Sequence, residues 1–298
     1  MGHEGDIWIR PRVKFSPQGN GNIALLEDRF ERSFAGGFPV LLASARAGIM
    51  LALKNFHDSQ DVSLFPYASQ CVVTAAFMAG KTPHTPLPNE PRDIIHNQWG
   101  LHQKQEMLTR VFLEDSADSF YPIGGTVCKT NSRFEVWSFP KLLGTTFGGI
   151  IWCRDKGDAL ELKKIRNDLP KQNLIFRAPL SLFKSKNHSA YRIWEGYEFS
   201  HPVLNKSQVR VLSVELDNWA ATYADQRSRY QEAIEKVPST TYPSNRDLDS
   251  LNFGVIPTVV EGRFPTGIES LRELNRVQIN GVVQPTHVYA YLNEKVKK

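Results

Sequence analysis

Apolar positions along the chain change period several times. About 20 polar residues with Gly and Pro come first and read as an arm. From Ile23 the apolar spacing is helical. Residues 39–42 read as a short strand, and the small-residue turn 43–48 follows. Ile49, Leu51, Leu53 and Phe56 then continue as a helix. Further strands are expected at 62–65, 93–96, 107–113, 134–139 and 149–153, and helices at 69–78 and 158–166. Residues 169–202 read as irregular and aromatic-rich. Residues 203–235 read as one long helix or a helix pair, and 238–246 as a linker of Ser, Thr and Pro. The remainder reads as a strand at 253–260, a helix at 268–277 and a strand at 282–291.

Strands alternating with helices predict an α/β domain with a largely parallel central sheet. Ligands of such sheets sit at the carboxyl ends of strands. The expected division is an arm at 1–22, a large domain at 23–236 and a small α/β subdomain at 237–298.

A chain of 298 residues with 41% apolar and 22% charged content has the composition of a soluble globular protein. The formal charge of +5 is mild, and no Lys/Arg cluster dominates a segment, which argues against a nucleic-acid binder. The three cysteines lack metal-ligand spacing, and two lie in apolar runs. No metal site is expected. The N-terminus has no signal-like apolar region, and no stretch approaches a membrane span of about 20 residues. A soluble, cytoplasmic protein is expected.

Two windows carry candidate chemistry. Val136-Trp137-Ser138-Phe139-Pro140-Lys141 reads as a strand leaving the core, with Gly148-Gly149 seven residues on. A lysine there can lose its proton and attack a carbonyl, and Ser138 stands one turn from the amine. The pairing suits pyridoxal phosphate (PLP); the plainer reading is a solvated loop lysine. Val111-Phe112-Leu113 leads into Glu114-Asp115-Ser116-Ala117-Asp118. A carboxylate at that strand end can pair with a protonated pyridine nitrogen, or simply cap a turn.

In order along the chain, Ser44-Ala45-Arg46-Ala47-Gly48, residues 66–74, Asn97-Gln98-Trp99-Gly100, Leu113-Glu114-Asp115-Ser116-Ala117 and Ser138-Phe139-Pro140-Lys141 through Gly148-Gly149 resemble the DegT/DnrJ/StrS sugar aminotransferases. These are fold-type-I PLP-dependent enzymes. The resemblance covers roughly residues 36–236 and includes Gln226-Arg227 and Tyr230 in the later helix. It implies a homodimer with sites near the interface. It also implies transfer of an amino group from an amino-acid donor such as glutamate to a keto group on a nucleotide-linked sugar. By position it makes Lys141 the Schiff-base lysine and proton carrier, and Asp115 the partner of the pyridine nitrogen. Ser138 and the amides near Ala45 and Arg46 become phosphate ligands. Asp118 falls near the ring hydroxyl, and Gln70 where an aromatic usually stacks on the ring.

The chain departs from the family at several points. Its Ser–Lys spacing is two residues shorter, and Arg46 replaces a small hydroxyl residue. Gly196-Tyr197-Glu198-Phe199-Ser200 stands where a Gly-Tyr-Asn-x-Arg element reaches the partner's phosphate. An alternative reading is therefore a non-catalytic member, or one with another PLP-dependent activity, in a polysaccharide pathway. Serine–lysine acylases also carry Ser-x-x-Lys, but their Ser-Asp-Asn and Lys-Thr-Gly partners are absent. Gly80-Lys81-Thr82 lacks the first P-loop glycine, and Pro83 cannot follow into a helix. The histidines show no metal spacing; His96, His102 and His201 could face a site, although a lone His more often lies at the surface or in packing, and Tyr191, Trp194, Tyr197 and Phe199 could line a sugar pocket but read first as packing residues.

Overall fold

Runs that are apolar at every position, such as Gly149-Ile150-Ile151-Trp152-Cys153, are the mark of strands covered on both faces. The computed structural model describes residues 14, 16–64, 68–84, 86, 92–97, 111–183, 188–235, 270–273 and 288–291. Its central sheet contains β1 (Phe38–Leu42), β4 (Ile94–His96), β5 (Leu113–Asp115), β6 (Phe134–Ser138) and β7 (Gly149–Cys153), in the order β1-β7-β6-β5-β4. β4, β5 and β6 are parallel, and β7 is antiparallel to both β6 and β1. Four strands thus share one direction in a mixed, mostly parallel sheet. A smaller parallel pair joins β2 (Asp61–Ser63) to β3 (Thr82–His84), and Leu64 bridges it to Ile94.

Side-chain alternation divides the interior into two layers. Leu41, Trp137, Ile150 and Trp152 point to one face. There they meet α1 (Ile23–Ser33), α4 (Phe139–Leu143), α8 (Lys206–Asp217) and the start of α9 (Trp219–Glu235). Phe30, Phe34, Trp137, Trp152 and Trp219 form one aromatic cluster with centroids 5.0–6.4 Å apart. Val40, Leu42, Phe134, Val136 and Ile151 point to the other face, against α2 (Ala45–Phe56), α3 (Gln70–Met78) and α5 (Lys156–Asn167).

The open edge of β1 is closed by side chains. Leu41 N–H donates to Glu27 Oε1 at 2.8 Å, and its carbonyl accepts from Arg166 Nη1 at 3.2 Å. Glu27 and Arg166 also pair with each other, both almost fully buried. One ion pair therefore ties α1, β1 and α5 together while satisfying an edge peptide.

Three expectations are corrected. The segment expected to be irregular holds two helices, α6 (Leu174–Phe183) and α7 (His188–Ser200). Pro179 lies inside α6, and a proline in a polar–aromatic stretch conceals helical periodicity. Within the expected 268–277 helix, Ser270–Glu273 is instead a strand, β8, paired antiparallel with β9 (Val288–Tyr291), so a cross-strand partner overrides local propensity. β3 was not expected at all. It is three residues long and contains Pro83, so it carries no strand pattern. The long-helix alternative resolves as a pair, α8 and α9, divided at Asn218. The expected linker, the 253–260 strand, the start of the 107–113 strand, Gln98-Trp99-Gly100 and His102 lie outside the described residues.

β5 and β6 carry a second buried charge problem. Glu114 and Glu135 are register partners, both fully buried. Glu114 accepts from Thr130 Oγ1 at 2.6 Å and Ser132 Oγ at 2.5 Å. Glu135 accepts from Tyr121 Oη at 2.9 Å, Trp137 Nε1 at 2.8 Å and Cys128 N–H at 2.5 Å. Burial, then the charge of Glu114, pushes the Glu135 carboxyl up to about 7 from its ordinary 4.5. The folded state therefore binds more protons than the unfolded chain between those values, so stability declines as pH rises through that window. Glu135→Gln is expected to flatten that decline, read as Tm against pH from 4.5 to 7. An unchanged slope would remove Glu135 as its source.

Candidate functional site

Three elements deliver the sequence-predicted residues to one end of the sheet. His96 and Asp115 are register partners at the carboxyl ends of β4 and β5, and Ser138 ends β6 next to them. Ligand sites of such sheets lie at these ends. Lys141 does not end a strand: it is the third residue of α4, a short helix closed by Gly144 at φ 63°. Pro140 suits the first turn of such a helix.

Lys141 Nζ donates to Asp118 Oδ1 at 2.5 Å. Asp118 lies in the turn after β5 and is almost fully buried. Asp115 Oδ1 accepts from Ala117 N–H at 3.1 Å. His96 Nε2 stands 3.5 Å from Asp115 Oδ2 and 3.9 Å from Asp118 Oδ2. Among the described residues neither ring nitrogen of His96 has a hydrogen-bond partner, although the ring is only 3% exposed. Burial works against the charge of Lys141, but Asp118 first, then Cys71 and Asp115, more than offset it, and the amine is held above its usual range.

The turn before α2 meets this cluster from β1. Ser44 caps the helix by accepting from Ala47 N–H at 3.3 Å. Ala45 presses its backbone on Gly149: a Cβ at 149 would lie 2.3 Å from Ala45 N and 2.6 Å from Ser44 C. Gly148, at φ 97°, donates from N–H to Ala43 O at 2.7 Å and accepts from Phe139 N–H at 3.2 Å. The Gly-Gly pair is therefore the backbone joint between the Ser44 turn and the start of α4.

Arg46 points elsewhere. Its guanidinium lies 3.4 Å from both Glu195 Oε1 and Glu198 Oε2 of α7 and 4.5 Å from the Trp194 ring centroid. Arg177 adds a second cation, 3.2 Å from Glu198 Oε1. Glu198 is thus in an ion-pair cluster, and Trp194 and Tyr191 flank a cation besides packing. Gln70 is exposed at the first position of α3. Its neighbour Cys71 is the α3 residue within electrostatic reach of Lys141 and Arg46. Sequence reading missed Cys71 and Glu195 as site residues, and named His96 only as a residue that could face a site. Glu195 and Arg192 do carry an i,i+3 pattern on α7, and His96 is register-matched to Asp115. An apolar groove of about 560 Å³ between α6 and α7 is lined by Tyr197 and His201 but by none of the residues expected to hold the cofactor.

The donor set fits PLP: an amine for its aldehyde, a buried carboxylate at a strand end for its pyridine nitrogen, and a turn with a helix start for its phosphate. Among the described residues no group of three His, Cys, Asp or Glu could hold a metal, and no helix is long and apolar enough to cross a membrane.

The fold is that of the fold-type-I PLP-dependent aminotransferases. Residues 26–250 match the family model described as "Putative PLP-dependent aminotransferase", and the chain belongs to that family. No curated protein sequence matches. PseC of Helicobacter pylori, an aminotransferase of pseudoaminic acid biosynthesis, is 14% identical with a TM-score of 0.53, over 83% of this chain and 72% of PseC. The sugar aminotransferase CalS13 of Micromonospora echinospora is 15% identical with a TM-score of 0.54, over 84% of this chain and 80% of CalS13. DesV of S. venezuelae is 16% identical with a TM-score of 0.50, over 82% and 71% respectively. At these identities the likeness is one of fold.

Gly149→Ala is expected to destabilise the protein by about 1–3 kcal/mol, because its Cβ meets backbone that has no room to yield. Gly196→Ala, with open space around its Cβ in α7, should match or exceed the wild type. Urea denaturation of the two variants makes the comparison; equal losses would refute the close-approach account.

Proposed function

We propose that the protein transfers an amino group from an amino acid, glutamate being the expected donor, to a keto group on a nucleotide-linked sugar. In this reading Lys141 holds the cofactor through a Schiff base. The observation that carries it is the convergence of Lys141, Asp118 and Asp115, from α4 and β5, at one strand end. When bound, PLP supplies an electron sink for the substrate carbon that loses its proton.

The chain's own residues then have distinct work. Asp115, buried and fixed by Ala117 N–H, would pair with the pyridine nitrogen and favour its protonated form. Ser138, whose hydroxyl does not cap α4, and the amides at the helix start near Ala45 and Arg46 would hold the phosphate. Asp118 would stand near the ring hydroxyl, and Gln70 where an aromatic usually stacks on the ring. Lys141 would take the substrate proton as base and return it as acid. The same reading makes the protein a cytoplasmic homodimer and keeps the small subdomain at 237–298.

A second reading, a family member without transaminase activity, is favoured by one observation. The Arg46 guanidinium, whose charge could otherwise bind phosphate directly, is already matched by Glu195 and Glu198.

Purified protein with PLP should show an absorbance band at about 410–430 nm. Borohydride reduction should fix the label on Lys141, and Lys141→Ala should lose both band and turnover. Asp115→Asn should keep the band but slow turnover. Colour without turnover on any keto-sugar would select the second reading. A protein that stays colourless, or a label on another lysine, would overturn the proposal.

A further inference from the structure

Asp118 occupies an unusual place. A carboxylate, not a neutral amide or imidazole, touches the amine that has to become a nucleophile. We propose that Asp118 is a positioning residue that sets the pH at which Lys141 takes up its cofactor and holds the resulting C=N nitrogen protonated. The proposal rests on the Schiff-base role of Lys141 given above.

The geometry gives Asp118 the dominant position. Its Oδ1 is 2.5 Å from Lys141 Nζ, in a charge-assisted hydrogen bond between a buried carboxylate and a half-buried amine. The other groups facing Lys141 come from different elements. Among the described residues they include Asp115 on β5 and Cys71 on α3, with His96 of β4 standing between the two aspartates. Both aspartates favour the ammonium form, and none of these groups touches the amine as Asp118 does. Burial alone would act the other way, releasing the proton.

Uptake then follows a balanced sequence. The ammonium gives one proton to solvent, and the free Nζ forms a C–N bond to the aldehyde carbon. The aldehyde oxygen leaves as water, and the nitrogen is reprotonated beside Asp118. The carboxylate slows the first step at neutral pH and stabilises the last. Removing its charge shifts both toward lower pH, since an opposite charge in contact displaces a titration by about one pH unit or more.

Stopped-flow absorbance with PLP at pH 6–10 tests this. In Asp118→Asn, uptake at pH 8 should be several-fold faster than in wild type, and the long-wavelength band should be lost at a pH about one unit lower. Coincident rate and band profiles would overturn the proposal. Asp118→Gln provides a second uncharged variant if Asp118→Asn does not fold. A further arm needs no cofactor: wild-type protein is acetylated across pH, and Lys141 is compared with exposed Lys156 by peptide mass mapping. Lys141 should need the higher pH; reaction at a lower pH than Lys156 overturns the inference. Wild type that never binds PLP defeats the proposed function, while the acetylation arm still decides on Asp118.

Discussion

The site depends on one backbone approach, that of Gly148-Gly149 to the Ser44-Ala45 turn. At 2.3 Å from Ala45 N there is no space for a Cβ, so the two chains meet peptide to peptide. The same glycine pair feeds the first peptide of α4 through Phe139 N–H and anchors the last peptide of β1 through Ala43 O. The turn that faces an anion and the helix that bears Lys141 are thereby set by a single joint. β7 runs antiparallel to its neighbours, and that reversal brings its first residues to the carboxyl ends of the others.

Charge is handled in three separate ways inside the domain. Glu27 and Arg166 neutralise each other while serving peptide groups. Among the described residues Glu114 and Glu135 have no cation as a hydrogen-bond partner and rely on hydroxyl, indole and amide donors. The end of the sheet mixes one amine, one imidazole and two carboxylates, and among the described residues both ring nitrogens of the imidazole, His96, lack a hydrogen-bond partner. The first two arrangements are self-contained; the third is not, and a buried polar group without a partner is costly unless something binds there.

Much of this was legible in the sequence because the patterns were local. Apolar runs gave β1, β6 and β7 within a residue of their ends, and Asp115 and Lys141 come within electrostatic reach of each other. What was not legible depended on pairing over distance. His96 has no local signal; only register with Asp115 gives it meaning. Arg46 looked like an anion ligand because its acidic partners lie about 150 residues away, on α7, in a stretch that reads as irregular. Cys71 read as one more apolar position, since helix phase alone does not say that Lys141 and Arg46 stand near it.

The Glu27–Arg166 pair also limits how copies of this chain can meet. At β1 it takes up the peptide groups a visiting strand would need, and at β4 the Leu64 bridge adjoins the far edge. Extending the central sheet from one molecule into the next through Leu41 would require breaking a buried ion pair.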